Sequence, residues 1–285
     1  MTLPALHALA CPNCGQALDQ TERRLHCPDG HSFDLAKQGY APLIAPGANT
    51  TTGDTADQIA AREDFLSLGA FDPLIDATAR ACLTDAPGVL VEPGCGTGHY
   101  LAAALDADER REGIGLDTSK YALRRTARRV LRRAAGTQGR LAAVLADAWT
   151  RLPVRDGAAA AVLNVFAPRN PDEIARILHP RGLLVVLTPR QDHLRELVGA
   201  LELLSVDPAK PQRTVDQLGT AFTAEQTDEL RYVIELGRDD ALRLVAMGPS
   251  ARHHDPAALA AAVEKLPEPI RATVSATVTR WRKRS

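Results

Sequence analysis

From residue 89 onward, short and nearly continuous apolar runs alternate with helix-length segments. The runs cover residues 89–91, 113–116, 141–145, 158–165 and 183–187. Strands that are apolar on both faces and separated by helices predict a parallel sheet covered on both sides. Upstream, Thr55-Ala56-Asp57-Gln58 matches a capping box, and Ile59, Ala60, Phe65 and Leu66 continue it as a helix. A second helix is expected over about 73–83, and another over about 193–204 after Pro189. Residues 230–236 and 241–247 read as one strand and one helix, in either assignment. Near the C-terminus Val274, Ala276 and Val278 alternate with Thr273, Ser275, Thr277 and Thr279, a two-faced strand that suits the edge of the sheet.

The 285 residues divide into three parts. Residues 1–38 form a compact Cys/His segment and 39–70 a linker and connecting helix, with 39–53 rich in Pro, Gly and Thr. Residues 71–285 form the α/β domain. A hydrophobic fraction of 45% supports a real core, and 34 Lys plus Arg against 35 Asp plus Glu neither demand nor exclude a nucleic-acid partner. No apolar run approaches the roughly 18 residues of a membrane span. The N-terminus lacks the basic and apolar regions of a signal peptide. Five cysteines, three of them clustered, fit a metal site in a reducing cytoplasm better than a disulfide scaffold.

The densest chemical signal is Glu92-Pro93-Gly94-Cys95-Gly96-Thr97-Gly98, between an apolar run and a helix-like one. Glycines there let a cofactor lie against bare backbone at a helix N-terminus. A dinucleotide site expects Gly-x-Gly-x-x-Gly, whereas here the third glycine comes one residue early. Asp117 closes the second strand and Asp147 the third. An acid on the cofactor's amino group (Glu92), one on the ribose hydroxyls (Asp117) and one on the adenine amino group (Asp147, with Trp149 shielding the ring) match S-adenosylmethionine (SAM). The expected fold is thus a SAM-dependent methyltransferase, Rossmann-like, with a seven-stranded, mostly parallel sheet and a small N-terminal zinc-binding domain. A nucleotide-dependent oxidoreductase is the alternative.

Beyond the carboxyl ends of the strands, where substrates lie in open α/β sheets, Asn164 is a candidate for orienting the acceptor and Phe166 for stacking on it. Asn170 reads as a helix cap before Pro171. His193 follows the fifth strand, on the open side of the cofactor or in a purely structural role. Cys11-x2-Cys14-x12-Cys27-x3-His31 has the spacing of a closed, tetrahedral structural zinc site, with His26 as a substitute ligand. Cys82 and Cys95 read as packing residues. Lys120, Arg124, Arg125, Arg128, Arg129, Arg132 and Arg133 share one face of a helix over 119–135, a phosphate-binding face or simply a solvated one. The cluster Arg280-Trp281-Arg282-Lys283-Arg284 is equally ambiguous.

These residues together resemble the 23S rRNA guanine-N1 methyltransferases. The resemblance runs from the Cys/His quartet through Phe33, Asp34 and Gly39-Tyr40, Gly53-Asp54-Thr55-Ala56 and Ala61-Arg62, the glycine turn, Asn164-Val165-Phe166-Ala167-Pro168, and Thr188-Pro189 to His193-Leu194. Asn164 through Pro171 and Ala246-Met247-Gly248-Pro249-Ser250 are similar to the tylosin-resistance branch, which modifies position 748 rather than 745. The resemblance implies a zinc module that helps to recognise 23S rRNA and a homodimer with an RNA-holding cleft. It also implies that Phe71 and His193 join Gly96 and Thr97 around SAM. Phe71 stands where a tyrosine is common, Glu92-Pro93 replaces an Asp with an aliphatic residue, and His179-Pro180-Arg181-Gly182 lacks a double glycine. The expected reaction is methyl transfer to N1 of an unpaired or flipped guanine, with no residue assigned as proton acceptor. A small-molecule methyltransferase carrying a zinc finger and a non-catalytic rRNA assembly factor are the rival functions.

Overall fold

The computed structural model describes residues 2–132, 139–207 and 210–284. Strands β1 (Asp19–Thr21), β2 (Arg24–His26) and β3 (Ser32–Asp34) form a small antiparallel sheet near the N-terminus. Next comes β4 (Ala41–Pro42), inside the segment expected to be a linker, and it pairs in parallel with a strand of the main sheet. Helices α1 (Ala56–Leu66) and α2 (Asp72–Ala81) follow. Helix α1 begins on the expected capping box: the Thr55 hydroxyl accepts from Gln58 N–H, and the Gln58 side chain accepts from Thr55 N–H.

The α/β alternation then runs β5 (Val89–Pro93), α3 (His99–Ala107), β6 (Gly113–Asp117), α4 (Lys120–Arg132), β7 (Leu141–Leu145), β8 (Ala159–Val165), α5 (Pro171–Ile177) and β9 (Leu178–Pro189). It closes with α6 (Arg195–Ala200), α7 (Lys210–Leu218), β10 (Phe222–Leu236), α8 (Arg238–Ala246), α9 (Pro256–Val263) and β11 (Ile270–Lys283). The spatial order is β10-β11-β9-β8-β5-β6-β7-β4. Strands β4 to β9 are parallel to their neighbours, and β11 is antiparallel to both β9 and β10. The seven expected strands are present, and β4 makes an eighth. The chain moves outward from β5 to β6 and β7, then returns to place β8 on the other side of β5. That reversal opens a crevice at the carboxyl ends of β5 and β8.

Two sequence expectations need correction. The hydroxyl-and-valine strand β11 is interior, with β10 outside it at the edge. Thr273 and Ser275 are as buried as Val274 and Ala276; Glu196 accepts from both the N–H and the hydroxyl of Thr273, at 2.8 and 2.6 Å, and His193 Nδ1 accepts from Ser275 N–H. The charged, largely exposed β10 suits an edge, where charge discourages further strand pairing. The helix expected over about 193–204 is shorter, Arg195–Ala200. The ambiguous pair resolves as strand for 230–236, within β10, and helix for 241–247, mostly within α8.

Side chains alternate between the two faces of the sheet. Leu90, Leu163, Leu183, Val185 and Leu187 pack on one side with residues of α1, α2 and α3. Val89, Val91, Val162, Leu184 and Val186 pack on the other, and there the N-terminal module provides much of the cover through Leu3, Leu9, Leu18 and Leu25. Leu9 forms an antiparallel bridge with Val154, Ala10 N–H donates to Pro153 C=O at 3.0 Å, and Arg155 N–H donates to Ala8 C=O at 2.9 Å. The module therefore shares a core with the sheet rather than hanging from it. Leu9→Ala, which empties a fully buried position at this junction, is expected to destabilise by roughly 2–5 kcal/mol and to lower a single cooperative melting transition. Two separate transitions in calorimetry would contradict the shared core.

Candidate cofactor pocket and metal centre

The glycine turn leaves β5 with Gly94, Gly96 and Gly98 all at positive φ, 73°, 53° and 76°. A Cβ at Gly94 would lie 2.9 Å from the Cβ of Ala167, so the loops after β5 and β8 touch, and only glycine permits that approach. Gly98 caps α3, whose first turn points its N–H groups toward the crevice.

Three carboxylates stand at three successive strand ends. Glu92 is buried behind the turn, and its Oε2 accepts from Leu101 N–H in the first turn of α3, at 3.1 Å. Burial pushes its carboxyl well above the ordinary range; the Leu101 N–H pulls it down and nearby Asp117 pushes it further up. Asp117 accepts from Gly96 N–H and Ser119 N–H, both at 2.8 Å. Its carboxyl is also raised, mainly by burial, against these two bonds; Asp54 raises it further and Arg62 opposes. Asp147 accepts from Trp149 N–H at 2.9 Å and from Asn49 N–H at 3.0 Å. The Pro/Gly/Thr-rich segment thus lies across the third strand end, and Trp149 is largely exposed beside it. Bare glycine backbone flanked by buried acceptors suits a ligand with an ammonium group, vicinal hydroxyls and an exocyclic amine.

On the far side of the crevice Phe71, His193 and Phe166 form a row, with ring centroids 6.3 and 5.9 Å apart. Phe71 is buried and meets Phe65 edge-on at 5.1 Å. Ser275 N–H donates to His193 Nδ1 at 3.2 Å, so the neutral ring carries its proton on Nε2. Phe166 is exposed at φ 49°, a left-handed conformation that bulky residues rarely adopt. Asn164 is fully buried near the end of β8; its Nδ2 donates to Pro168 C=O at 3.0 Å, and its Oδ1 has no partner among the described residues. The bond to Pro168 shapes the 164–168 loop that presents Phe166. Asn170 caps α5 through Glu173 N–H, as expected.

Cys11, Cys14, Cys27 and His31 bring one ligand atom each within 4.8 Å of one another. Gly15 and Gly30 turn the chain at positive φ just after Cys14 and just before His31. Cys14 Sγ and Cys27 Sγ are 3.6 Å apart, and Cys27 Sγ and His31 Nδ1 3.4 Å. A tetrahedral zinc with its usual bond lengths requires edges of about 3.5–3.8 Å, so the quartet fits zinc. His26 is in β2 and outside the cluster. Cys82 and Cys95 are buried away from it. On α4, Lys120 and Arg128 are exposed. The side chains of Arg129 and Arg132, and residues 133–135, lie outside the described residues.

Sequence reading missed several contributors. Thr126 on α4 donates its hydroxyl to Gly96 C=O at 2.9 Å, Asn49 covers Asp147, and Arg62 on α1 pairs with Asp54 beside the turn. Each is remote in sequence from what it supports, so spacing carried no signal for it.

Two family profiles match the chain, one described as the N-terminal region of RlmA, a zinc ribbon, at residues 9–46, and a methyltransferase domain at residues 91–186. A Streptomyces fradiae protein named 23S rRNA (guanine(748)-N(1))-methyltransferase is 46% identical, over 95% of each chain. A Micromonospora griseorubida protein assigned to the 23S rRNA (guanine-N(1)-)-methyltransferases is 44% identical, over 96% of this chain and 97% of its own. Among solved structures, the YcgJ protein from Bacillus subtilis aligns with TM-score 0.51 at 14% identity, over 74% of this chain and 98% of that one, which is a likeness of fold.

The raised Glu92 carboxyl gives a pH-dependent prediction. Where the folded pKa exceeds the unfolded one, the folded state is favoured below the unfolded value of about 4.3, and that stability is lost as pH rises through the folded value. Glu92→Gln keeps an acceptor for Leu101 N–H and removes the buried charge. It is expected to raise the melting temperature of the ligand-free protein at neutral pH, with the gain shrinking toward about pH 4. SAM affinity should fall about tenfold or more, the loss of one charge-assisted contact. A variant that melts lower than the parent at neutral pH, or binds SAM equally well, contradicts this account of the pocket.

Proposed function

Because the chain belongs to the 23S rRNA (guanine-N1)-methyltransferase family, we propose that it methylates N1 of one guanine in 23S rRNA, at position 748 of the domain II hairpin lining the peptide tunnel, and that this modification confers tylosin resistance. The observation that carries the reading is the combination of a SAM-type pocket and a Cys3His module on one shared core, in a chain 46% identical along its length to a relative named for that position. The same reading includes the homodimer that the family resemblance implies.

When bound, SAM supplies a methyl group on a positively charged sulfur, open to attack by a ring nitrogen. The chain's residues supply alignment. Glu92, Asp117 and Asp147 lie at the ends of the adjacent strands β5, β6 and β7, which supports assigning them to the ammonium, ribose and adenine ends of one extended ligand. The Asn164–Pro168 hydrogen bond fixes the loop that holds the Phe166 ring out over the crevice. A guanine turned out of a hairpin loop can stack on that ring, which offsets the loss of stacking in the RNA. His193 accepts from Ser275 N–H at Nδ1, so that nitrogen is occupied, and no residue is assigned as acceptor of the N1 proton. Holding nucleophile, methyl and sulfur in line lowers the entropic part of the barrier.

Purified protein, labelled SAM and unmodified 23S rRNA test the reading. Label is expected to enter the domain II hairpin, and primer extension to stop at position 748, because a methyl on N1 blocks pairing. A stop at 745 would overturn the position, and no incorporation into 23S rRNA would overturn the function. In the same assay Phe166→Ala should reduce turnover on RNA by about 5- to 150-fold while SAM binding holds, as expected for loss of roughly 1–3 kcal/mol of base stacking.

A further inference from the structure

The methionine tail of SAM carries a carboxylate as well as an ammonium group, and the acids at the strand ends can only repel it. A glycine turn at a helix N-terminus commonly binds anions through free backbone N–H groups. Here four of those groups are already engaged. Gly94 N–H and Cys95 N–H both donate to Leu116 C=O, at 2.8 and 3.0 Å, Gly96 N–H donates to Asp117, and Gly98 N–H donates to Cys95 C=O at 2.8 Å. Those four groups are therefore not free to receive a carboxylate.

Arg62 is a cation in place to receive one. It projects from α1 so that its Nη1 lies 3.2 Å, and its Cδ 3.5 Å, from where a Cβ on Gly96 would stand. A ligand lying against Gly96 therefore lies against the guanidinium. The side chain is held from two directions. Nη1 pairs with Asp54 Oδ2 at 2.6 Å, and Nη2 donates to Met247 C=O at 2.8 Å, just beyond α8. Asp54 is itself fixed, since its C=O accepts from the Ser119 hydroxyl at 2.7 Å. Gly53, beside it, packs so closely on Ser119 that a Cβ would lie 2.8 Å from the Ser119 backbone nitrogen. A guanidinium has five N–H donors, so these two anchors leave others for a ligand. It is only about a quarter exposed, and its flat donor fork matches a carboxylate.

We propose that Arg62 receives the α-carboxylate of the SAM methionine tail, with Asp54 and the Met247 carbonyl as its positioning partners. This role divides the tail by charge, the ammonium toward the strand-end acids and the carboxylate toward α1. It also gives a function to the contacts between α1, the segment before it and the end of α8, none of which touches the glycine turn through its own backbone.

The test is binding rather than turnover, with two probes that share the adenosine part. S-adenosylhomocysteine keeps the amino-acid tail, and 5′-methylthioadenosine lacks it. In calorimetric titrations of the full chain, Arg62→Gln is expected to weaken S-adenosylhomocysteine about 10- to 100-fold, the range for a lost charge-assisted hydrogen bond. Binding of methylthioadenosine should change by no more than a few-fold, since it lacks the carboxylate and senses Arg62 only through the charge of Asp117. Arg62→Lys, which keeps the charge without the fork, should show the same selective loss to a smaller degree, and it provides the same readout if the glutamine variant does not fold. Equal losses for both probes would mean that Arg62 only supports the pocket wall, and no loss for S-adenosylhomocysteine would place the carboxylate elsewhere. Either result overturns the proposal. Both leave the methylation reading untouched, because that reading depends on transfer to RNA.

Discussion

The structure depends on holding acids in a row at the carboxyl ends of neighbouring parallel strands. Parallel pairing in register brings the ends of β5, β6 and β7 side by side, and each of those strands ends at or just before a carboxylate. Burial makes that arrangement unfavourable, and it raises Glu92 and Asp117. Backbone N–H groups of the glycine turn, of α3 and of the loops after β6 and β7 offset it locally. The compensation is partial by design of the fold, because acceptors satisfied entirely from within would have nothing to offer a cationic ligand. The positive-φ glycines follow from the same constraint. The turn must bend sharply enough to bring its N–H groups onto Leu116 and Asp117 while the loop after β8 closes against Gly94.

A second consequence concerns the face of the sheet opposite α1, α2 and α3. In a doubly wound fold helices normally cover both faces. Here the N-terminal module takes over much of one face, so the zinc quartet braces the same core that positions the strand ends. A zinc site of this kind contributes folding free energy directly, and in this chain that contribution reaches the cofactor pocket through Leu9, Val154 and the strands beneath them. The short strand β4 extends the connection, since it leaves the module and pairs with β7, whose end leads to Asp147. Asn49, a few residues later, then lies on that carboxylate.

Much of this was legible in the sequence because it is local. The Thr55 capping box, the glycine turn, the acids closing successive apolar runs and the Cys/His spacing are each contained in short stretches whose chemistry dictates their geometry. Relations between stretches were not legible. The alternation in β11 revealed two faces but not that Glu196 would hold the Thr273 hydroxyl and N–H, and His193 the Ser275 N–H, of an interior strand. Asn164 was legible as a candidate from its place at the end of an apolar run, whereas its bond to Pro168 C=O, which ties the 164–168 loop, was not. Arg62 was marked only as part of the family resemblance, since its contacts depend on Asp54 and Met247 meeting beside Gly96 in the folded chain.

The central claim is that the buried strand-end carboxyls are completed by a cationic cofactor. Calorimetric titration of the protein with SAM at a series of pH values rising from the ordinary carboxylate range, in buffers of differing ionisation enthalpy, measures it directly through proton linkage. Burial raises these carboxyls when the pocket lacks its cation, and the arriving ammonium group lowers them again. The account therefore predicts a pH window of net proton release on binding, fading as pH rises and the free protein ionises on its own. Binding with no proton exchange anywhere in the series, or with net uptake, would contradict it.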